Sequence, residues 1–281
     1  MKLNVVHLCS SNNDKIIDVA LFKATSHTSH DPPATKYVTF LQSVVDKSYG
    51  PQAIAATVQR LRLTADVCVA AKCLILLHKM TKSSENGHNG EGSSRGNYTH
   101  RALIYDQGGS NLKLNDLNVN SSRFTRELSP WVEWYKQCLD CNFVIAEELG
   151  IIPSIKEILE QKRIEIRRVS SYTTECIFKQ IDLLVELLEH ISRKPETPKS
   201  KPNKIVIAMK ELIAQDSFSA MSLITIRFEE LNVNARETKP HDLFPVLVRL
   251  EKCKDGLSEF SWRCKNLVED FWSLVLKLRQ G

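Results

Sequence analysis

The segment Asp66–Lys82, DVCVAAKCLILLHKMTK, is the stretch of sequence from which the fold is best inferred. Apolar residues occupy almost every position between Val67 and Leu77, so the segment has no polar face for solvent. A helix that is apolar on all sides is normally buried on several of them. The apolar run is also well short of the roughly 18 to 20 residues that span a bilayer. The segment therefore predicts a helix packed in the middle of a stack of other helices.

Most of the remaining chain repeats apolar residues at the spacing of a helix, without the alternation that is typical of strands. Ser129 and Pro130 have the residue types of a helix cap and a first helical position, so we expect a helix to start there. Short connections favour antiparallel neighbours, which predicts an all-α stack of helical hairpins. The predicted helices are Asp14–Ser26, Lys36–Lys47, Pro51–Arg62, Asp66–Lys82, Ser129–Gly150, Pro153–Ser170, Tyr172–Arg193, Ile205–Leu231, Asp242–Lys254 and Leu257–Arg279.

Two polar segments interrupt these helices without dividing the chain into domains. Residues 83–97 are rich in glycine and serine, a composition that predicts a mobile loop. Residues 194–204, KPETPKSKPNK, contain several prolines and predict a linker. We therefore expect one helical domain across residues 1–281.

The composition is that of a globular protein, with 42% hydrophobic and 25% charged residues. The net charge of +5 is a mild basic excess, which agrees with an anionic partner but is weak evidence alone. The N-terminal segment turns polar by Ser10, so we expect no secretory signal. The 8 cysteines lie mostly among apolar helical residues, and we expect reduced thiols packed as small hydrophobic side chains.

The sequence offers weak support for a catalytic or metal site. Cys138 and Cys141 form a CxxC pair, but the pair lies inside a predicted helix and has no second pair of ligands in the sequence. His27 and His30 flank a polar turn without a carboxylate cluster. No Walker loop, GxGxxG motif or GxSxG motif occurs. We therefore expect no enzyme activity, no cofactor and no metal ligands.

The predicted helix Pro153–Ser170 carries a basic cluster that alternates with glutamates. Because opposite charges lie three and four residues apart, we expect a solvated face with internal ion pairs. Aromatic residues do not interleave with the basic ones, so we expect no nucleic acid partner. The cluster consists of Lys162, Arg163, Arg167 and Arg168 with Glu157, Glu160 and Glu165.

Two short motifs resemble peptides that bind coat adaptors. Asp182–Leu184 is similar to a dileucine sorting motif, and Asp242–Phe244 is similar to a coat-protein hook. Both motifs lie on predicted amphipathic helices, so we expect their apolar side chains to face the core.

The segments around the first predicted helix connection carry a more specific pattern. KATSH (Lys23–His27) closes one helix, and PPATKY (Pro32–Tyr37) opens the next. This pair resembles the lipid-binding signature of the ANTH domain, which occurs in the CALM-like clathrin assembly proteins of the ENTH/ANTH superfamily. Further segments resemble the plant-type members in the same order along the chain. They are Val69–Lys79, Glu127–Tyr135, Lys179–Val185 and Phe228–Asn232.

The resemblance implies a right-handed superhelical solenoid of stacked antiparallel helices and a function without catalysis. It implies a phosphoinositide-binding endocytic adaptor that assists clathrin coat assembly and vesicle budding, with Lys23, His27, Lys36 and Tyr37 as lipid-binding residues. The implied partners are phosphatidylinositol bisphosphate head groups, clathrin and SNARE cargo. The implied location is cytoplasmic, at the periphery of plasma-membrane clathrin-coated pits and vesicles and of the Golgi.

The residue types of this signature suit a multiply anionic head group. Lys23 ends one predicted helix and Lys36 begins the next, so both ammonium groups can approach one cluster of phosphates. Tyr37 can donate its hydroxyl hydrogen to a phosphate oxygen. Backbone N–H groups at the start of the second helix add further donors.

The chain departs from the family pattern at Ala34, where members usually have a second basic residue. One basic residue near a membrane contributes about 1 kcal/mol, so its loss should weaken binding about fivefold. Members usually continue into a tail with clathrin-binding peptides, whereas this sequence stops at Gly281, so we expect weak or indirect clathrin binding. The alternative interpretation is a helical protein-interaction scaffold that binds cargo or SNARE helices without significant lipid binding.

Overall fold

The computed structural model describes residues 12–45, 49–83, 112–114, 116–118, 122–150, 162–196, 203–233 and 240–280. Within these ranges the regular structure is helical, with no strand, and the predicted all-α class is confirmed. The chain divides into two compact units, Met1–Thr125 and Arg126–Gly281. The right-handed superhelix and the single domain across residues 1–281 stay predictions.

The described part of the first unit is a cluster of helices, each of which packs against at least two others. These helices are α1 (Asn12–Ala24), α2 (Thr35–Val45), α3 (Gly50–Leu63) and α4 (Val67–Ser83). α4 packs against both α2 and α3 and is buried at every position from Val67 to His78. The prediction that this segment lies in the middle of a stack is confirmed.

Local sequence determines where α3 and α4 begin. The Asp66 carboxylate accepts hydrogen bonds from the backbone N–H groups of Cys68 at 2.7 Å and Val69 at 3.0 Å, which caps α4. Gly50 begins α3 very close to the end of α2. A β-carbon at this position would lie 2.7 Å from the Val45 carbonyl oxygen, so α3 can start this close to α2 because the residue is glycine.

The second unit is built from longer helices. Its elements are α5 (Arg123–Leu149), which begins at the end of the first unit, α6 (Lys162–Val169), α7 (Thr174–Ser192), α8 (Lys204–Val233), α9 (Pro240–Leu257), a 3-10 helix (Ser258–Arg263) and α10 (Lys265–Gln280). α7 packs against both α8 and α9, while α8 also contacts α6 and α10. The core of this unit therefore lies around α7 and α8.

A buried ionic network joins α6, α7 and α8. Arg227 of α8 is fully buried, and its guanidinium donates to Gln180 Oε1 at 2.9 Å and to Glu165 Oε1 at 3.1 Å. The same guanidinium donates to the Leu223 carbonyl oxygen at 3.0 Å. Burial lowers the pKa of Arg227, and the Glu165 carboxylate opposes that shift. The network anchors the short helix α6 to two long helices.

The predicted helix start at Ser129 and Pro130 is wrong, because α5 begins at Arg123 and contains Pro130 in its interior. The Ser122 hydroxyl accepts a hydrogen bond from the Thr125 N–H at 3.1 Å, and the Thr125 hydroxyl oxygen accepts one from the Ser122 N–H at 3.0 Å. This reciprocal cap satisfies donors at the true start of the helix. Proline removes one backbone hydrogen bond inside α5, and the packing of the buried residues around it outweighs that loss.

The predicted continuous helix Leu257–Arg279 is also wrong, because a 3-10 helix occupies its first part and α10 begins only at Lys265. The 3-10 helix brings Glu259 beside two lysines. Its carboxylate pairs with Lys194 at 2.9 Å and with Lys210. These ion pairs tie the 3-10 helix to the end of α7 and to α8.

Three predictions fall partly outside the described residues. Of the predicted loop at 83–97, Ser83 ends α4 and the other positions lie outside. Of the predicted linker at 194–204, residues 194–196 and 203–204 are described, and α8 begins at Lys204. The predicted helix Pro153–Ser170 is helical over Lys162–Val169, and residues 153–161 lie outside the described ranges.

Candidate functional site

The four residues of the predicted lipid-binding signature lie on or beside the connection between α1 and α2. Lys23 is in the last turn of α1, His27 follows in the connection, and Lys36 and Tyr37 are in the first turn of α2. Lys23, His27 and Lys36 are exposed, and Tyr37 is half-buried. Lys36 Nζ lies 4.8 Å from the centre of the Tyr37 ring. We call residues 25–34 the α1–α2 turn.

The α1–α2 turn is held by Lys72, a residue of α4 that is 2% exposed. Its ammonium group donates to the carbonyl oxygens of Ser26 at 2.7 Å and Ser29 at 2.6 Å. Burial lowers the pKa of Lys72, and the nearby Cys68 and Asp31 oppose this shift. Charge-assisted hydrogen bonds of this kind are the strong ones. The sequence predicts no role for Lys72, because its partners are backbone carbonyls more than forty residues earlier in the chain.

Short-range hydrogen bonds give the α1–α2 turn further rigidity. The hydroxyl oxygens of Ser26 and Thr28 lie 2.7 Å apart, and one donates to the other. The backbone N–H of Asp31 donates to Ser29 Oγ at 3.0 Å, and the Ser29 hydroxyl donates to the Asp31 carboxylate at 3.1 Å. A turn that is already ordered loses less entropy when a ligand binds.

The first turn of α2 supplies backbone donors next to the signature lysine. The Ala34 carbonyl accepts hydrogen bonds from the N–H groups of Tyr37 at 3.0 Å and Val38 at 3.2 Å. The N–H groups of Thr35 and Lys36 precede these and belong to the turn in which a helix has no internal acceptor. With the helix dipole, this end of α2 favours an anion. Ala34 is exposed, so a longer basic side chain would have space at this position.

A cavity of about 540 Å³ lies beside the α1–α2 turn, between α1, α3 and the start of α4. His27, Phe22 and Arg60 are among its lining residues. The Arg60 guanidinium lies 4.8 Å from the centre of the Phe22 ring and donates to both the hydroxyl and the carbonyl oxygen of Thr25. Arg60 therefore brings a further basic group to the turn. Sequence reasoning missed it, because Arg60 lies on a different helix from the signature.

α1 presents apolar side chains to solvent close to the α1–α2 turn. Ile16, Val19 and Phe22 are 53%, 53% and 58% exposed and follow one another at three-residue spacing. Lys23 comes directly after Phe22, so apolar and basic groups adjoin at the end of α1. None of the helices in the described ranges is long and apolar enough to cross a membrane.

The two motifs that resemble adaptor-binding peptides have different environments. Leu184 is buried in α7, as predicted, and Asp182 pairs with an arginine of α9. The predicted burial of Phe244 is wrong, because this side chain is 54% exposed on α9. Val246 and Leu247 are buried instead, so the core-facing side of α9 begins after the motif.

The basic side chains of α6 are largely exposed, but the predicted solvated mixed-charge face is wrong at Glu165, which is buried and pairs with Arg227 of α8 at 3.1 Å. Lys162, Arg163 and Arg167 are exposed. Arg168 lies 3.4 Å from the Glu165 carboxylate, an ion pair at three-residue spacing. The other two glutamates of the predicted cluster, Glu157 and Glu160, lie outside the described residues.

The cysteines in the described ranges are free thiols, and most of them are packed as predicted. Cys141 of α5 is half-buried and lies beside two residues of α7, Glu186 and His190. One ligand atom from each of the three lies within 4.8 Å of the other two, a grouping that could hold a metal ion. The sequence did not suggest it, because two of the ligands come from a helix distant in the chain. The fully buried thiols are Cys68, Cys73, Cys138 and Cys253.

Comparison with known proteins places the chain in a family. The family model described as ANTH domain matches residues 16–269. Three similar proteins of Arabidopsis thaliana each carry the name "Putative clathrin assembly protein". One is 69% identical over 279 residues, which cover 99% of this chain and 94% of that protein. The second is 38% identical over 99% of this chain and 80% of its own, and the third is 28% identical over 93% and 71%. The chain belongs to the ANTH domain family.

Proposed function

We propose that the chain is a phosphoinositide-binding endocytic adaptor that assists clathrin coat assembly and vesicle budding. The observation that carries the proposal is the α1–α2 turn, where Lys23, His27, Lys36 and Tyr37 flank a connection held by the buried Lys72. Family membership and the names of the relatives support the same role. The proposed partners are phosphatidylinositol bisphosphate head groups, clathrin and SNARE cargo. The proposed location is the cytoplasmic side of plasma-membrane clathrin-coated pits and vesicles, with the Golgi as a second membrane.

The donors around the turn differ in kind and complement a phosphorylated head group. Lys23 and Lys36 supply mobile positive charges, and Tyr37 supplies a hydroxyl donor. The N–H groups at the start of α2 supply fixed donors in a field that favours anions. Each basic residue near an anionic surface is worth about 1 kcal/mol, so a site of this size gives reversible binding.

The exposed side of α1 supports contact with a membrane surface as well as with a soluble head group. Apolar side chains such as Val19 and Phe22 can enter the boundary between head groups and acyl chains while Lys23 stays among the phosphates. Contact with a membrane would account for the large apolar side chains that α1 exposes directly beside a basic residue.

The test is sedimentation of the protein with vesicles that contain phosphatidylinositol bisphosphate. The double change Lys23→Glu and Lys36→Glu removes two attractions and adds two repulsions, about 3 to 4 kcal/mol in total, and should abolish binding. Binding of the wild type should weaken with salt, because charges are screened over about 10 Å at 0.1 M ionic strength. A matched control, Lys162→Glu with Arg163→Glu on the exposed side of α6, makes the same charge change and should bind as the wild type does.

The variant Ala34→Lys tests the same site in the opposite direction. It adds a basic residue at an exposed position next to the signature and should tighten vesicle binding about fivefold. If the wild type shows no salt-sensitive binding and Ala34→Lys creates none, the lipid proposal is wrong. The interpretation of the chain as a scaffold for cargo or SNARE helices would then be favoured.

A further inference from the structure

We propose that Cys141, Glu186 and His190 form a zinc-binding site that links α5 to α7 within the second unit. A thiolate sulfur, a carboxylate oxygen and an imidazole nitrogen are the ligand atoms that Zn²⁺ binds in proteins. The thiolate and the imidazole also select against Mg²⁺ and Ca²⁺, which prefer oxygen ligands. Three protein ligands leave a fourth tetrahedral position for water. The proposed site is separate from the α1–α2 turn and does not depend on lipid binding.

The distances among the three ligand atoms are close to those that a zinc ion requires. The atoms lie within 4.8 Å of one another, and His190 Nε2 is 4.0 Å from Glu186 Oε1. Bond lengths of about 2.0 to 2.3 Å around a tetrahedral zinc ion put ligand atoms roughly 3.3 to 3.6 Å apart, so the separations must shorten by roughly 0.5 to 1.5 Å. Small side-chain rotations can supply this shift, because Glu186 and His190 are both partly exposed.

Two side-chain contacts between α5 and α7 flank the proposed site. Trp134 Nε1 donates to the His190 carbonyl oxygen at 2.9 Å, and Lys179 Nζ lies 2.6 Å from the Glu148 carboxylate. The residue number of the contact increases along α5 while it decreases along α7, so the two helices run antiparallel. Trp134, Cys141 and Glu148 recur at seven-residue spacing, so they share one side of α5. The proposed site lies between two established contacts of the same seam.

On α7, Glu186 and His190 are four residues apart, which puts them one helical turn apart on the same side. A zinc site at the CxxC motif needs a second pair of ligands, which the neighbouring sequence does not contain and which Glu186 and His190 provide in the fold. Cys138, the other cysteine of that motif, is fully buried one turn before Cys141 and is not part of the proposed set. The motif therefore contributes one ligand instead of two.

The electrostatic surroundings of Cys141 favour a cation. Burial raises the pKa of the Cys141 thiol to about 12, and the carboxylates of Glu186 and Asp140 add to this shift. These carboxylates also attract a divalent ion, and a bound ion would stabilise the thiolate that burial disfavours. The nearby basic residue Lys136 is paired with Asp140 at 3.0 Å. Geometry and charge thus agree on a cation site.

The experiment uses the full chain after dialysis against a chelator. Zn²⁺ binding is measured by calorimetry, and Co²⁺ is used as a spectroscopic probe, because a cobalt–thiolate bond gives a charge-transfer band in the near ultraviolet. We expect one Zn²⁺ per chain, a cobalt–thiolate band and a higher melting temperature with zinc, since an ion that binds only the folded state stabilises it. Cys141→Ser and Glu186→Gln should each weaken Zn²⁺ binding at least about tenfold, because even residues that merely support a ligand are worth roughly 10- to 100-fold.

Cys264→Ser is the matched control, because it removes a half-buried thiol elsewhere in the second unit. It should leave the zinc affinity and the cobalt band unchanged. Glu186→Gln keeps the shape of a side chain that is half exposed, so this variant remains folded and informative if Cys141→Ser is unstable. The proposal is overturned if the wild type binds no Zn²⁺, if Cys141→Ser or Glu186→Gln binds it as the wild type does, or if the Co²⁺ complex lacks the thiolate band.

Discussion

Lys72 in the first unit and Arg227 in the second are both buried cations, but they bind different kinds of partner. Lys72 donates to the backbone carbonyls of Ser26 and Ser29 in the α1–α2 turn. Arg227 donates to the carboxylate of Glu165 and to other buried groups between helices. Lys72 therefore determines the conformation of the α1–α2 turn at the protein surface. Arg227 neutralises the buried Glu165 carboxylate and therefore contributes to the stability of the core of the second unit.

The partners also differ in their access to water. Ser26 and Ser29 are half-buried, so water can reach the turn and replace a missing donor at small cost. Glu165 is buried, and once the Arg227 guanidinium is gone its charge is left with only the partly exposed Arg168 at 3.4 Å. The two cations should therefore respond very differently to the same substitution by methionine, which keeps the length of the side chain and removes the charge.

The largest expected effect is on the stability of the second unit. Arg227→Met leaves the Glu165 carboxylate buried beside Arg168, its other ion-pair partner at 3.4 Å. Breaking a buried ion pair costs about 3 to 5 kcal/mol, and we expect a loss of unfolding free energy near the lower value. Lys72→Met should cost about 1 kcal/mol, since the carbonyls can bind water. Urea denaturation followed by circular dichroism measures both losses.

The double variant Arg227→Met with Glu165→Gln provides the control for this interpretation. Removing the charge of the carboxylate should restore part of the lost stability, because a buried charge without its main partner causes most of the cost. Equal losses for Lys72→Met and Arg227→Met, or no recovery in the double variant, would show that the two buried cations do not differ as we describe.

A smaller effect is expected at a more exposed ion pair of the second unit. Arg249 of α9 donates to both carboxylate oxygens of Glu189 on α7, at 2.9 and 3.0 Å. These hydrogen bonds lower the pKa of Glu189 from its ordinary value of 4.5. Because the folded-state pKa is depressed, the pair stabilises the fold fully above pH 4.5 and loses this contribution as the pH falls through the folded-state pKa.

The variant Glu189→Gln measures that contribution. It should lose about 0.5 to 1 kcal/mol of unfolding free energy near neutral pH, as partly exposed pairs do. The difference between the wild type and the variant should shrink below pH 4.5, where the carboxylate of the unfolded chain is already protonated. A difference that stays constant over this range would mean that the pair does not act through the charge of Glu189.

The sequence predicts the parts of the fold that depend on local pattern. The burial of α4 follows from its apolar residues on all sides, and the position of Leu184 follows from helical period. The start of α5 was mispredicted because Pro130 has the residue type of a first helical position. The capping pair Ser122 and Thr125 lies earlier in polar sequence, where no apolar period marks it.

The sequence does not predict contacts between side chains that lie far apart along the chain. Lys72 binds carbonyls more than forty residues earlier, and Arg227 binds Gln180 and Glu165 at separations of 47 and 62 residues. Nothing in the local pattern marks these partners. The signature residues of the α1–α2 turn could be named from the sequence, whereas the groups that hold the turn could not.

If Lys72 maintains the α1–α2 turn as the proposed phosphoinositide site, its loss should weaken lipid binding more than the loss of Arg227 does. Wild type, Lys72→Met and Arg227→Met are sedimented with vesicles that contain phosphatidylinositol bisphosphate, at one salt concentration and at a temperature where all three are folded. Loss of the charge-assisted bonds should disfavour the binding conformation by about 1 kcal/mol, so Lys72→Met should bind about fivefold more weakly. Arg227→Met, although less stable, should bind as the wild type does. Unchanged binding by Lys72→Met, or equal weakening of both variants, would show that Lys72 does not maintain a lipid site at this turn.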